Sequence, residues 1–329
     1  MTVTVLALVG TACSDVSSSS TAAAGVPDNS DTTLTLAISP WLGSASNVAV
    51  AQKLLQDKLG YTVDTKNANE YAQFKSLSNG DIDATLEIWP SGHGADYQNY
   101  IASGNGVVDG GELGITGQIG WYVPTYLVEQ HPELATWEGL KTDWQLFQTS
   151  DSGDMGQILD GDPSYVTFDD TIAKNLGLNL KAKYAGSEEA ELTELDTAYQ
   201  AQKPILMYFW TPHWAHENYD LTQIKLPKVT DACTQIYATG ENADAYNCDY
   251  PTDPLYKAFN ADLQTNAPAA FAFLSAMQWT EADQNAVSHD LYSEMDPADA
   301  AQKWIDANPD TWQSWVDAGL AAQSASPAA

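Results

Sequence analysis

The chain has 329 residues and a formal charge of −31, from 44 Asp and Glu against 13 basic residues, every one of them Lys. Without Arg there is no arginine finger, no bidentate fork for a phosphate or carboxylate and no Arg to read guanine, and so negative a surface repels nucleic acid and anionic headgroups. The length suits two domains, 44% hydrophobic residues with a mean hydropathy of −0.29 fit a soluble globular protein, and 11 Trp with 16 Tyr form the other outlier.

Residues 2–12 (TVTVLALVGTA) form an apolar run too short to span a bilayer, ending at Cys13. The expectation is a bacterial lipoprotein-type signal over residues 1–13, with Cys13 lipidated and residues 14–32 as a flexible tether; an ordinary secretory signal cut near Ala12 is the alternative. No basic n-region precedes the run, and the expectation is a start upstream of Met1. Leu34–Ile38 reads as a strand, Asn47–Leu59 as a helix closed by Gly60, Tyr61–Thr65 as a strand, Glu70–Leu77 as a helix and Ala84–Trp89 as a strand. This alternation predicts an α/β layer with a mostly parallel sheet. The pattern then restarts. Gly120–Val128 reads as extended, Pro132–Gln148 as helical, Gly156–Leu159 as a strand and Phe168–Leu176 as a helix. Leu180–Tyr184 is then a strand, Ser187 to about Gln202 a capped helix, and Pro204–Trp210 a strand. The tail from Pro254 reads as helical, with a capping box at Thr280 and Asp283 and caps before Pro297 and Pro309. The predicted plan is a discontinuous first lobe, 33–121 with 212–325, and a second lobe, 122–211, with the chain crossing back near 211–222. Cys233 and Cys248 remain as an even pair in a polar loop, and a disulfide is expected over a zinc site because no His or second Cys lies at ligand spacing.

No motif marks an enzyme. His213 and His216 lie in HWAH rather than HExxH, and GxSxG, Walker A and GxGxxG are all missing. No metal ligand set and no cofactor are expected. The aromatic residues carry more. Trp137, Trp144, Trp304, Trp312 and Trp315 fall within helices and read as core. Trp41, Trp89, Tyr165 and Trp210 instead stand where strands end, and in an open α/β sheet ligands bind beyond those ends. A shared aromatic pocket in an acidic protein suits a quaternary ammonium group, which ring faces hold at about 0.5–2 kcal/mol per contact.

The segments ISPWLGSASNVAV, NGDIDATLEIWPSGH, GWYVPTYL, LDGDPSYVTFDDTIAKNLGL and KPILMYFWTPHWA resemble the periplasmic substrate-binding proteins of ABC importers for glycine betaine, proline betaine and choline (the OpuAC/ProX-like family), over about residues 33–320. The resemblance implies a two-lobed class II periplasmic-binding-protein clamshell, with Trp89 and Trp210 at cage positions and Trp41 at an aromatic of the choline-binding branch. Tyr165 stands where one branch has Trp. Trp121 and Tyr122 are weaker candidates. For the ligand's other end the resemblance implies His93 and His213, with backbone N–H groups of Val166 and Thr167 or of Leu42 and Gly43; Asp162 is a further candidate for a positive head or a hydroxyl. His216 reads as a surface residue. The implied function is extracytoplasmic capture of a small quaternary ammonium ligand, glycine betaine first and choline, carnitine or proline betaine as alternatives, without chemistry on it. A ligand-sensing receptor domain and an enzyme on this scaffold are the other classes. The implied partners are an ABC permease and ATPase, with membrane contact only through the lipid anchor, no nucleic acid and a monomeric state.

Overall fold

The computed structural model describes residues 26–90 and 92–325. The expected signal, Cys13 and most of the tether lie outside them. Strand β1 (Asn29–Ile38) begins at Asn29 rather than Leu34. Its polar start is drawn into the sheet because Asn29 pairs with Tyr61 and its side-chain N–H donates to the Leu59 carbonyl at 2.6 Å. Helix α1 (Leu42–Leu59) ends at Gly60, whose φ of 71° lets its N–H cap the last turn. Strand β2 (Tyr61–Asn67), helix α2 (Glu70–Asn79, capped by the Asn69 side chain) and β3 (Ala84–Ile88) complete the first parallel unit.

The long strand β4 (Val107–Pro124) leaves this unit, and β5 (Gly156–Asp160), β6 (Leu180–Tyr184), β7 (Met207–Thr211) and β8 (Leu221–Ile224) build the second. Strand β9 (Thr252–Asn260) returns. The hydrogen-bonded order is β2-β1-β3-β9-β4-β7-β5-β6, with β8 on β4, nine strands among the described residues. Strands β1, β2 and β3 run parallel, as do β5, β6 and β7, whereas β4 and β9 are antiparallel to each other. Val107 of β4 faces Asn260 of β9 at one end, and Gln118 faces Thr252 at the other. Beyond that, β4 pairs with β7 and β8. These two strands therefore join the lobes of a mixed α/β clamshell.

Three sequence expectations give way here. The return was expected near 211–222, where Trp214 does touch the first lobe, 4.3 Å from the Tyr292 ring. Yet β8 then pairs with residues 121–124 of β4, so the returning segment is β9. The helix expected over 132–148 is broken into 3₁₀ and α turns at 132–135, 140–143 and 144–147. The chain folds back on itself there: a Cβ on Gly139 would lie 2.2 Å from the Glu133 carbonyl. The tail expected to be helical from Pro254 begins with β9, which is bonded on both sides, to β3 and β4, so tertiary pairing overrides local pattern.

The first lobe's core is Leu54, Leu55 and Leu59 of α1 against Phe273, Trp304 and Trp315 of the C-terminal helices, with the Trp304 and Trp315 rings stacked at 5.9 Å. The Thr280–Asp283 capping box is present. Cys233 and Cys248 form a disulfide with Cα atoms 6.4 Å apart, bracing the loop that leads into β9.

Candidate functional site

The strand ends converge. Trp41 follows β1, Trp89 follows β3, Tyr165 follows β5 and Trp210 lies within β7, and all four line one cavity of about 360 Å³, part of it open to solvent. Each is less than a tenth exposed. Tyr165 stands edge-on to Trp210 (5.8 Å, 88°) and 6.1 Å from Trp41 across the cleft. Tyr208, Ile119, Glu70 and Val166 complete the wall. Tyr208 lines the cavity as well and was not among the sequence candidates. It lies two positions before Trp210, on the same face of β7, and strand alternation was the available signal. Trp89 needs a glycine opposite it, since a Cβ on Gly117 of β4 would lie 2.2 Å from its ring.

The first-lobe rings are held by a residue the sequence did not mark. Glu87, fully buried in β3, accepts hydrogen bonds at Oε1 from the indoles of Trp41 (2.7 Å) and Trp89 (2.9 Å). At Oε2 it accepts from Asn47 (2.6 Å) and Gln284 (2.7 Å). Burial pushes its carboxyl above the usual range and the four donors pull it back. A charged residue inside the apolar strand ATLEI was the signal.

The polar candidates sit differently from expectation. His93 is buried behind the wall, with Nδ1 3.0 Å from Asp96 and Nε2 3.3 Å from Glu70, so it backs Glu70 rather than facing the cavity. The Val166 N–H donates to Glu70 Oε2 at 2.8 Å. The Leu42 N–H donates to Glu188 Oε2 at 2.7 Å. His213 holds the same Glu188 through Nε2 at 2.7 Å, while its Nδ1 accepts the Ala215 N–H at 3.0 Å, so Nε2 carries the hydrogen. Gly43 packs within 3.1 Å of Gln284 and Glu87 at its Cβ position, outside the cavity wall. The Thr167 side chain turns to Asp160 and Tyr184. Asp162 shapes a turn by accepting the Ser164 N–H at 2.8 Å and lines a separate pocket with Pro40 and Asn69 rather than the aromatic cavity.

Trp121 is fully buried in the second lobe, donating to Asp169 at 2.7 Å, and Tyr122 packs on Phe209 and His216; neither lines the cavity. His216, expected at the surface, is half-buried and donates from Nε2 to the Trp210 carbonyl. Behind the tyrosines lie Asp160 and Glu191, whose carboxyls are both raised by burial first and neighbouring acids second, Asp160 to about 9. Among the described residues, one group of metal-type ligands, His131, Glu133 and Asp143, has atoms within 4.8 Å of one another, away from the cage.

His93 supplies a prediction. Burial alone would lower its pKa, but hydrogen bonds and charges from Asp96 and Glu70 outweigh this and raise it from 6.5 to about 9. A folded pKa above the unfolded one gives stability that is full below about pH 6.5 and lost as pH rises through 9. The unfolding free energy of the wild type minus that of His93→Asn, from urea titrations, is expected to be larger at pH 6 than at pH 9.5 by about 3 kcal/mol. A difference independent of pH would mean that His93 is not protonated in the fold.

Over residues 32–307 the chain matches the family described as the substrate binding domain of the ABC-type glycine betaine transport system. It is 27% identical over 301 residues to a trimethylamine N-oxide-binding protein of Pelagibacter ubique, covering 88% of this chain and 93% of that protein. It is 25% identical over 292 residues to the glycine betaine/proline betaine-binding periplasmic protein of Escherichia coli, 81% and 84% covered. Among solved structures, an ABC-transporter choline binding protein in complex with choline superposes with a TM-score of 0.68 at 20% identity, over 89% of this chain and 97% of that one. Lactococcal OpuAC, closed on glycine betaine, gives 0.66 at 20%, over 87% and 100%. These structures share the two-lobed fold. No helix among the described residues is long and apolar enough to cross a membrane.

Proposed function

Because the chain belongs to the family of substrate-binding domains of ABC-type glycine betaine transport systems, we propose that it captures a small methylated ammonium compound outside the cytoplasm. It then delivers the ligand, unchanged, to a permease and ATPase. The observation that carries this reading is the cavity walled by Trp41, Trp89, Tyr165, Tyr208 and Trp210, with rings drawn from both lobes. A quaternary ammonium cannot donate a hydrogen bond, so ring faces are its natural contacts. Strands β4 and β9, which join the lobes, would serve as the hinge. The relatives named above take trimethylamine N-oxide and glycine or proline betaine, and a methylated nitrogen is common to these compounds. Lipidation of Cys13 and a monomeric state belong to the same proposal. Two lobes that meet around the cavity give the cage without a second copy.

The test is a tryptophan-fluorescence or calorimetric titration with glycine betaine, choline, carnitine, proline betaine and trimethylamine N-oxide. Several ring contacts in a dry site should together exceed about 4 kcal/mol, so at least one of these ligands is expected to bind below roughly millimolar. If none does, the cage reading is wrong.

A further inference from the structure

A cage accounts for the methylated nitrogen and leaves open the ligand's other end. Two backbone N–H groups beside cage rings, one per lobe, belong to Leu42 and Val166. Both already donate to carboxylates of the protein, Leu42 to Glu188 and Val166 to Glu70. The two arrangements repeat each other. Each glutamate is the first residue of a helix, α2 or Glu188–Gln200. Each is backed by a histidine three or four positions beyond a cage Trp, His93 or His213. Each also reaches across the cleft to the opposite lobe, forming a reciprocal pair of latches. They differ in one respect: Glu70 is part of the cavity wall and Glu188 is not.

A ligand carboxylate entering this cavity would find the His93, His213, Leu42 and Val166 donors already engaged. Both nitrogens of His93 and both of His213 are taken, the two N–H groups are taken, and the chain has no Arg. It would also lie near the Glu70 carboxylate, and like charges a few ångströms apart in a site shielded from water repel strongly. A methylated ammonium, by contrast, finds in Glu70 a counter-charge held by Val166 and His93, and the His93 cation is outnumbered by the two carboxylates it bonds, Glu70 and Asp96.

We propose that Glu70 is the specificity-determining residue of this site, acting as a built-in counter-ion that selects methylated ammonium cations without a carboxylate, of the choline type, over betaines. The inference rests on the binding function proposed above and narrows its ligand class. Wild-type protein is expected to bind choline and tetramethylammonium at least tenfold more tightly than glycine betaine at pH 7.5 in calorimetric titrations. Glu70→Gln removes the charge and keeps the shape, and it should shrink the choline-to-betaine ratio at least tenfold. Glu188→Gln loosens the other latch outside the wall, and it should weaken both ligands by a similar factor and leave their ratio unchanged. Glycine betaine binding as tightly as choline in the wild type, or an unchanged ratio in Glu70→Gln, would overturn the proposal and leave the cage reading standing. Binding of none of these three, nor of carnitine, proline betaine or trimethylamine N-oxide, would instead overturn the cage reading itself. The wild-type ratio decides the matter even if the Glu70 variant fails to fold.

Discussion

Replacing Glu87 with alanine is expected to lower the unfolding free energy by about 4 kcal/mol and ligand affinity at least hundredfold. The carboxyl group is buried among four donors, and its removal strands two indole N–H groups and two side-chain amides. Each orphaned buried donor costs about 1–3 kcal/mol, less where water enters the space left behind. The binding loss has a separate origin. Trp41 and Trp89 owe their orientation to this one oxygen, and rings free to rotate no longer present fixed faces to a cation. Glu87→Gln separates the two effects. Its amide oxygen can still accept from both indoles, while its NH₂ meets Asn47 and Gln284, which must reorient. A loss of about 1–2 kcal/mol in stability with affinity within tenfold of wild type is therefore expected. Urea unfolding and calorimetric titration of both variants supply the measurements. An alanine variant as stable as the wild type would show that the four donors find water instead.

Trp210→Ala is expected to reduce affinity about hundredfold with little loss of fold. A desolvated cation–ring contact contributes about 2 kcal/mol, and the apolar area lost on truncation adds about 1 kcal/mol. At 1.4 kcal/mol per decade, the sum is about two decades. Backbone features at this position survive the substitution, because β7 pairs through Trp210 with Ile119 of β4 and the Trp210 carbonyl accepts from His216. Trp210→Phe keeps a ring face and should recover most of the loss. Wild-type affinity in the alanine variant would remove Trp210 from the site.

The cage aromatics were legible because position along a strand is a local property. An apolar run followed by Trp and a turn former announces a strand end at Trp41 and Trp89, and α/β geometry places such ends together. Tyr208 needed only the alternation of β7 to be added. The glutamates were hidden for the opposite reason. With 44 acids in the chain, Glu70 and Glu188 carry no mark of their own, and their partners, Val166 and Leu42, are 96 and 146 residues away. His93 and His213 were read as ligand groups, but each instead holds a glutamate 23 or 25 residues away in the chain. The strand character of Thr252–Asn260 was hidden likewise, since it comes from flanking strands β3 and β4 and not from local pattern.

The shared oxygen of Glu87 also bears on how such a site can diverge. Trp41 and Trp89 hang from one atom, so moving either ring to suit a larger or smaller ligand disturbs the other. Asn47 and Gln284 are bound into the same knot. On the opposite jaw, the Tyr165 hydroxyl donates to the Pro40 carbonyl and to no member of that knot. Descendants of this chain that acquire new ligands are therefore expected to vary at 165 and 208 one residue at a time. Positions 41, 47, 87, 89 and 284 should be inherited as a block, making one jaw the anvil and the other the part that evolution can retool.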